Sequence, residues 1–194
     1  TNPDCYSDDK LFAIKLRDAI EKNPQYYFAT SLILNNDGSV QKTCRRNLMN
    51  FSNAISESFS LEKFGFSKIN RDILEIENLP EISEVPAFSG ALFFAKKDVY
   101  FSVGGLSEEY FLHVEDMDLC MKIFQKGGKI AFVKNAIIKH SLSTSDVSSK
   151  FLEFHKAKGV VIYLNKFFPW TNFPILKQII SSGIWLRYYL KTWR

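Results

Sequence analysis

Cysteine is scarce in this sequence, and its count is odd. Cys5, Cys44 and Cys120 are the only three in 194 residues and none belongs to a C-x-x-C pair. Neither a disulfide framework nor a cysteine-based zinc site is encoded, and a reducing, cytoplasmic setting is expected. Also missing is any uninterrupted apolar run of about 18 residues, so no spanning helix is expected. The opening Thr1-Asn2-Pro3-Asp4 brings no initiator Met, no charged n-region and no apolar h-region. No signal peptide is therefore expected, and the start reads as cut. Three histidines without H-E-x-x-H spacing exclude the helical zinc-protease arrangement. Gly104-Gly105 and Gly127-Gly128 make neither a dinucleotide fingerprint nor a P-loop and read as helix stops; no G-x-S-x-G elbow occurs. There is no internal repeat and no low-complexity segment.

What is present suffices for a real core. The chain is 46% hydrophobic and 24% charged, a balance that argues for one compact domain plus an appendage and against general disorder. Its net charge of +4 is too small to suggest a surface devoted to nucleic acid. The distribution says more than the sum. From Lys150 to Arg194 eight basic residues face Glu153 alone, or +7, while the remaining 17 basic and 20 acidic residues leave the body at −3.

Ser7 followed by Asp8 and Asp9, then Leu11, Phe12, Ile14, Leu16, Ala19 and Ile20, predicts a capped helix from about Asp8 to Glu21. Tyr26 to Leu34 is aromatic and β-branched, Asn36-Asp37-Gly38 signals a hairpin turn, and Ser39 to Thr43 is expected to return as a second strand. Asn47 to Pro80 reads as a long variable loop. Ala87 to Ala95 predicts one buried strand, followed by a helix from Lys97 to Val103. A further helix is expected over Glu115 to Lys126, then strands at Lys129 to Val133 and Ala136 to Ile138, with His140 just past the last of them.

Several residues could carry chemistry. Asn2-Pro3-Asp4 reads by itself as a turn before it reads as a metal site, with Pro3 biasing Asn2 toward an extended conformation. Glu115-Asp116-x-Asp118 places three carboxylates at a helix N-terminus, where unpaired amides and the dipole favour anions. Capping charge is the plain account. Against it, three acids in four residues repel one another more than capping needs, and such crowding raises the pKa of at least one toward the range of a general base. His140 at a strand end is open to three readings: metal ligand, phosphate contact or ordinary surface residue. Arg45-Arg46 could grip a diphosphate or be plain surface.

Taken in order, Asn2-Pro3-Asp4, Asp37-Gly38, Arg45-Arg46, Phe88-Ser89-Gly90-Ala91, Val103-Gly104-Gly105-Leu106-Ser107-Glu108, Tyr110 through Cys120 with its Glu115-Asp116-Met117-Asp118 centre, Gly127-Gly128 and His140 resemble the second half of the family 2 glycosyltransferases. The rhamnosyltransferase-like branch is the nearer one, and the match covers about residues 1 to 145. The resemblance implies an α/β fold of the partial GT-A type, a mixed sheet flanked by helices. Residues 1–147 would be the C-terminal half of a catalytic domain, without its N-terminal nucleotide-binding part, so that the 194 residues alone need not be active. By the same resemblance Asp4 is the principal ligand of Mg²⁺ or Mn²⁺, with Asn2 a weaker neighbour and His140 a further ligand. Asp116 becomes the general base and Glu115 a contact to sugar or acceptor. Ser89, Gly90 and Ala91 line the sugar site, and Arg45, Arg46 and Asp118 count among the substrate-binding residues. The departures are Leu106-Ser107-Glu108 in place of Phe-Asp-Glu, His113 in place of an aromatic, and Lys122 in place of a frequent Arg; they leave the sugar open.

The last stretch, 148–194, is expected to be a basic and aromatic helical tail, broken by Pro169 and Pro174 into two short helices. Such a composition suits a peripheral element on an anionic membrane, and equally a terminal helix pair packed on the body or on a second subunit. No nucleic-acid motif accompanies it. The function implied is inverting transfer of a sugar, plausibly rhamnose, from a nucleotide-sugar donor to a lipid-linked or polysaccharide acceptor at the inner face of a bacterial membrane. Two other classes stay open: a non-catalytic membrane-surface or interaction module that keeps the fold, and a metal-dependent phosphoesterase.

Overall fold

The computed structural model describes residues 1–53, 76–141 and 148–193. Most of the variable loop expected between Asn47 and Pro80, and Ser143 to Ser145 beyond His140, lie outside the described residues. In chain order the elements are β1 (Cys5–Tyr6), α1 (Phe12–Lys22), β2 (Tyr26–Leu34), β3 (Arg45–Arg46), β4 (Ile82–Glu84), β5 (Ala87–Phe88), β6 (Phe94–Ala95), α2 (Lys97–Ser102), α3 (Glu115–Gln125), β7 (Lys129–His140), α4 (Ser149–Phe167), a 3-10 turn over Pro169–Asn172, and α5 (Pro174–Thr192). The fold is α/β, with a mixed sheet flanked by helices. The chain divides into two compact units, Thr1–Leu48 with Arg71–Leu106 and Leu119–Thr144, and Met49–Asn70 with Ser107–Asp118 and Ser145–Arg194.

In the first unit β7 is the hub. It runs parallel to β2 along one edge and antiparallel to β1 and β4 along the other, while β6 pairs antiparallel with β2. Strands buried on both faces read as apolar runs, which β2 does and which β7 does on either side of Lys134-Asn135. Leu16, Ala19 and Ile20 of α1, Phe28, Ala29 and Ile33 of β2, and Phe132 and Ile138 of β7 are all buried. The Phe28 ring lies 6.1 Å from that of Phe88 and 5.7 Å from that of Phe93. Each such side chain contributes roughly 1.5–3 kcal/mol by leaving water, so this aromatic cluster is what holds β5 and β6 against β2.

In this unit four expectations need correction. The first helix starts at Phe12, not Asp8, because Ser7 spends its hydroxyl on the Ile137 carbonyl (2.7 Å) and Asp9 closes a turn on the Leu11 amide (2.9 Å). Ser39 to Thr43 forms no strand beyond a single bridge, Leu34 to Val40. This segment instead serves isolated groups on β2: the Gln41 amide donates to the Ile33 carbonyl, and Cys44 Sγ accepts from the Ile33 amide and donates to the Ser31 carbonyl. Burial pushes that thiol up to about 11. Ala87 to Ala95 is not one strand but two, in different sheets, because Ser89-Gly90-Ala91 reverses the chain with the Leu92 amide donating to the Ser89 carbonyl. Finally, the two strands expected after Gly128 are one. Its register against β2 jumps from Val133 to Ile137, a bulge that absorbs residues 134–136, and His140 is the last residue of β7 instead of lying past it. The helix stop before it is as expected: Gly127, at φ 72°, lets the Gly128 amide reach the Ile123 carbonyl, and a Cβ on Gly128 would strike the Tyr27 ring.

In the second unit α4 and α5 are each 19 residues long, not short. Pro169 opens the 3-10 turn and Pro174 is the first residue of α5, where a missing amide hydrogen costs nothing. Ala157, Tyr163 and Leu164 on α4 and Ile180, Ile184 and Tyr188 on α5 are buried, and the Tyr163 hydroxyl donates to the Met49 carbonyl at 2.8 Å. No helix among the described residues is long and apolar enough to cross a membrane.

Candidate functional site

Ligands of open α/β sheets gather beyond the carboxyl ends of parallel strands. Here those ends are Leu34 of β2 and His140 of β7, and polar groups converge there. The short ladder between β1 and β7 sets Cys5 opposite His140. Asp4, one residue before the ladder, thereby comes to rest with Oδ2 at 3.3 Å from His140 Nε2, and its carbonyl accepts the Ser141 amide. On the other side of the imidazole, Nδ1 lies 3.1–3.2 Å from the side-chain amide of Gln41, which is buried. Imidazole ligands of metals are commonly oriented in this way by a polar partner on the second nitrogen. Ser141 Oγ donates to Asn36 Oδ1 at 3.0 Å, so the turn after β2 belongs to the same polar end.

Asp4, Cys5 and His140 offer three ligand atoms within 4.8 Å of one another. Cys5 is the residue that sequence reasoning missed, because a single thiol next to an Asp carries no spacing signal; only the strand register turns it toward His140. Burial and, next, the charge of Asp4 hold its thiol protonated to higher pH than usual. The donor set bears on the expected ions: Mg²⁺ and Mn²⁺ are best served by carboxylate, carbonyl and water oxygens, whereas imidazole and thiol suit Zn²⁺ and other late first-row ions. Of the residues present, Asp4 alone is the kind of ligand that Mg²⁺ or Mn²⁺ prefers, and His140 with Cys5 suits a softer ion.

Asn2 joins this cluster through its main chain, donating to the Ala91 carbonyl at 2.9 Å, and the same carbonyl lies 3.6 Å from Cys5 Sγ. The Ser89-Gly90-Ala91 turn is thus anchored directly beside the metal-ligand candidates. Within it Ser89 Oγ accepts the Ala91 amide at 3.3 Å. Arg45 and Arg46 lie in β3, paired with Phe88 and Ala87 just ahead of that turn. The Arg45 guanidinium is buried 5.0 Å over the Phe132 ring, and burial lowers its pKa. Arg46 Nη2 donates to the Phe88 carbonyl at 2.6 Å. Arg46 thereby braces the chain just before the turn, and Arg45 packs on β7.

Glu115, Asp116 and Asp118 come together in the second unit, at the first turn of α3. Their environments differ sharply. Asp118 is completely buried, with Lys166 Nζ at 2.7 Å, Ser107 Oγ at 2.7 Å and the Tyr110 hydroxyl at 3.1 Å. Its carboxylate is engaged by the protein itself, which gives it a structural role in this unit. Burial and then the Asp118 charge raise the pKa of Tyr110 above its usual value. Glu115 and Asp116 remain partly exposed, and Asp116 Oδ1 accepts the Met117 amide at 2.8 Å. The two residues before them, His113 at φ 65° and Val114 at φ 73°, occupy the left-handed region. For a buried β-branched residue that conformation is strained, and strain of this kind collects at functional loops. Lys122, where an arginine was the commoner expectation, donates to the Gly105 carbonyl and closes the stop after α2.

No protein-family model matches the chain, and no curated protein matches it either.

Proposed function

We propose that the chain is the C-terminal part of a GT-A-type glycosyltransferase of family 2, an inverting enzyme that moves a sugar from a nucleotide-sugar donor to a lipid-linked or polysaccharide acceptor. One observation carries the reading: Asp4 and His140, from opposite ends of the first unit, meet at 3.3 Å beyond the carboxyl ends of the parallel pair, beside the Ser89-Gly90-Ala91 turn. A carboxylate and an oriented imidazole next to a turn of small residues form a place for a cation and a close-approaching ligand.

In this reading Asp4, Cys5 and His140 would hold a divalent ion, which would supply positive charge to offset that of a departing diphosphate. Gln41 keeps the imidazole in position. The turn at Gly90, free of bulky side chains, lets main-chain groups approach the sugar. By the family resemblance Asp116 would be the base that takes the proton of the acceptor hydroxyl as that oxygen attacks the anomeric carbon, and Glu115 a contact to the acceptor. A single displacement inverts the centre. The buried network on Asp118 fixes the helix turn from which both acids project.

The test is a transfer assay with Mn²⁺ and a panel of nucleotide-sugars on the protein as encoded, including whatever its reading frame carries ahead of Thr1. Transfer that Asp4→Asn and Asp116→Asn each abolish supports the reading. Release of phosphate from simple esters without any acceptor replaces it with a phosphoesterase; Mn²⁺ binding without turnover of any donor replaces it with a non-catalytic module.

A further inference from the structure

Helix α5 uses one face to pack on α4 and leaves another uncovered. Ile180, Gly183, Ile184 and Tyr188 are buried. Ile175 (78% exposed), Ile179, Leu186, Tyr189, Leu190 (68%) and Trp193 (89%) are not. The exposed set recurs at spacings of three, four and seven residues and so lines one face of the helix, with the exposed Ser182 between Ile179 and Leu186. Just ahead of it, Phe173 and Trp170 are exposed as well. A contiguous apolar surface of this kind on a chain of this size marks an interaction site, since scattered single residues would not align.

We propose that this stripe docks on the surface of an anionic lipid bilayer, with α5 lying in the plane of the interface. Charge selects that occupant. The segment from Lys150 to Arg194 carries eight basic residues against Glu153, and Glu153 is itself paired with Lys191 at 3.3 Å. A second copy docking through the same stripe would bring two such basic segments together, which like charge opposes. A bilayer carrying anionic headgroups supplies the opposite charge and an apolar phase for the side chains. All three tryptophans of the chain, Trp170, Trp185 and Trp193, belong to this segment, and Trp favours the headgroup level. Because no described helix is long and apolar enough to cross the bilayer, the contact is peripheral. The proposal stands independently of the transferase reading.

Co-sedimentation tests it, using the full chain and vesicles of phosphatidylcholine either alone or mixed with phosphatidylglycerol. Binding is expected only to the mixed vesicles and should weaken by about tenfold or more between low and high salt. The double variant Ile179→Ser/Leu190→Ser, which alters exposed positions only, should lower partitioning by about tenfold or more while leaving the circular-dichroism spectrum unchanged. Trp emission should shift to the blue on binding and less so in Trp193→Ala. Equal, salt-insensitive binding to both vesicle types overturns the anionic surface as the partner. No binding to either overturns membrane docking. Lipid-free dimerisation abolished by the double variant overturns it in favour of a self-interface. Retention by single-stranded DNA that the double variant does not affect, without vesicle binding, overturns it in favour of nucleic acid.

Discussion

Lys166 Nζ on α4 sits 2.7 Å from Oδ1 of Asp118, a carboxylate with no exposed surface at all. The pair ties the tail to the first turn of α3 inside the second unit. Removing the cation should therefore hurt more than removing a surface ion pair. Breaking a fully buried pair costs about 3–5 kcal/mol, but Lys166 is 30% exposed and Asp118 keeps two hydroxyl donors, so Lys166→Met should cost about 1–3 kcal/mol. Urea unfolding measures it; a change below about 0.5 kcal/mol would show that the pair is ornamental.

The same network predicts an alkaline weakness. Burial first, and Asp118 second, raise the pKa of Tyr110 above the ordinary 10.0. The folded chain then keeps a proton that the unfolded chain sheds above pH 10, so the folded state binds more protons there and stability must fall as pH rises. Tyr110→Phe should lower stability at neutral pH by about 1 kcal/mol through the lost hydrogen bond, yet flatten the decline toward about pH 11. Parallel slopes for the two proteins would remove Tyr110 as the source.

What the sequence discloses and what it hides follow from the range of the forces involved. Tyr26 to Leu34 was legible as a strand to the residue, because a β-branched and aromatic run buried on both faces needs no outside information. The stop at Gly127 was legible for the same local reason. Ala87 to Ala95 was misjudged since apolarity alone cannot reveal that Ser89 turns the chain into another sheet. Ser7 looks like a helix cap and does accept the Asp9 amide, but its hydroxyl donates to the Ile137 carbonyl, a partner that the fold supplies. At the candidate site Asp4 and His140 were legible as residue types, while Cys5 and Gln41 depend on strand register and burial. Lys166, distant from Asp118 in the chain, gave no signal at all.

Metal binding offers the sharpest check on the first unit. If Asp4 and His140 hold a divalent ion, His140→Ala and Asp4→Asn should each abolish its tight binding by titration calorimetry, with Mn²⁺ and Zn²⁺ as the ions tried. Gln41→Ala removes only the group facing Nδ1, and loss of such an orienting partner costs roughly 10- to 100-fold in affinity. With Co²⁺ as a probe, a sulfur-to-metal charge-transfer band should appear in the near ultraviolet and vanish in Cys5→Ser. Absence of the band alongside normal Co²⁺ affinity would remove Cys5 from the ligand set and restore an oxygen and nitrogen site.

Asp116 and Asp118 should separate cleanly in kinetics. If Asp116 is the proton acceptor, Asp116→Asn lowers transfer by about 10²-fold or more while the donor KM changes little, since the amide preserves shape but not basicity. Asp118→Asn should instead lower stability, its buried neighbours having been built around a charge. Equal kinetic losses without any change in stability would contradict the structural role assigned to Asp118.

Gly159 tests the strained approach to the acid motif. An Ala in a helix interior normally stabilises by about 0.8–1 kcal/mol over Gly, and Gly159 sits within α4. A Cβ there, however, would stand 3.0 Å from Val114 Cγ2 and 3.2 Å from the His113 carbonyl oxygen. Those two residues already occupy the left-handed region at φ 73° and 65°, and they have little freedom to retreat. Overpacking should outweigh propensity, so Gly159→Ala is expected to destabilise by about 1 kcal/mol net. Because the displaced residues lead directly into Glu115 and Asp116, any transfer activity that depends on Asp116 should fall in this variant while any metal binding at Asp4 and His140 stays unchanged. A gain in stability would show that the loop yields freely and that its backbone is not held under load.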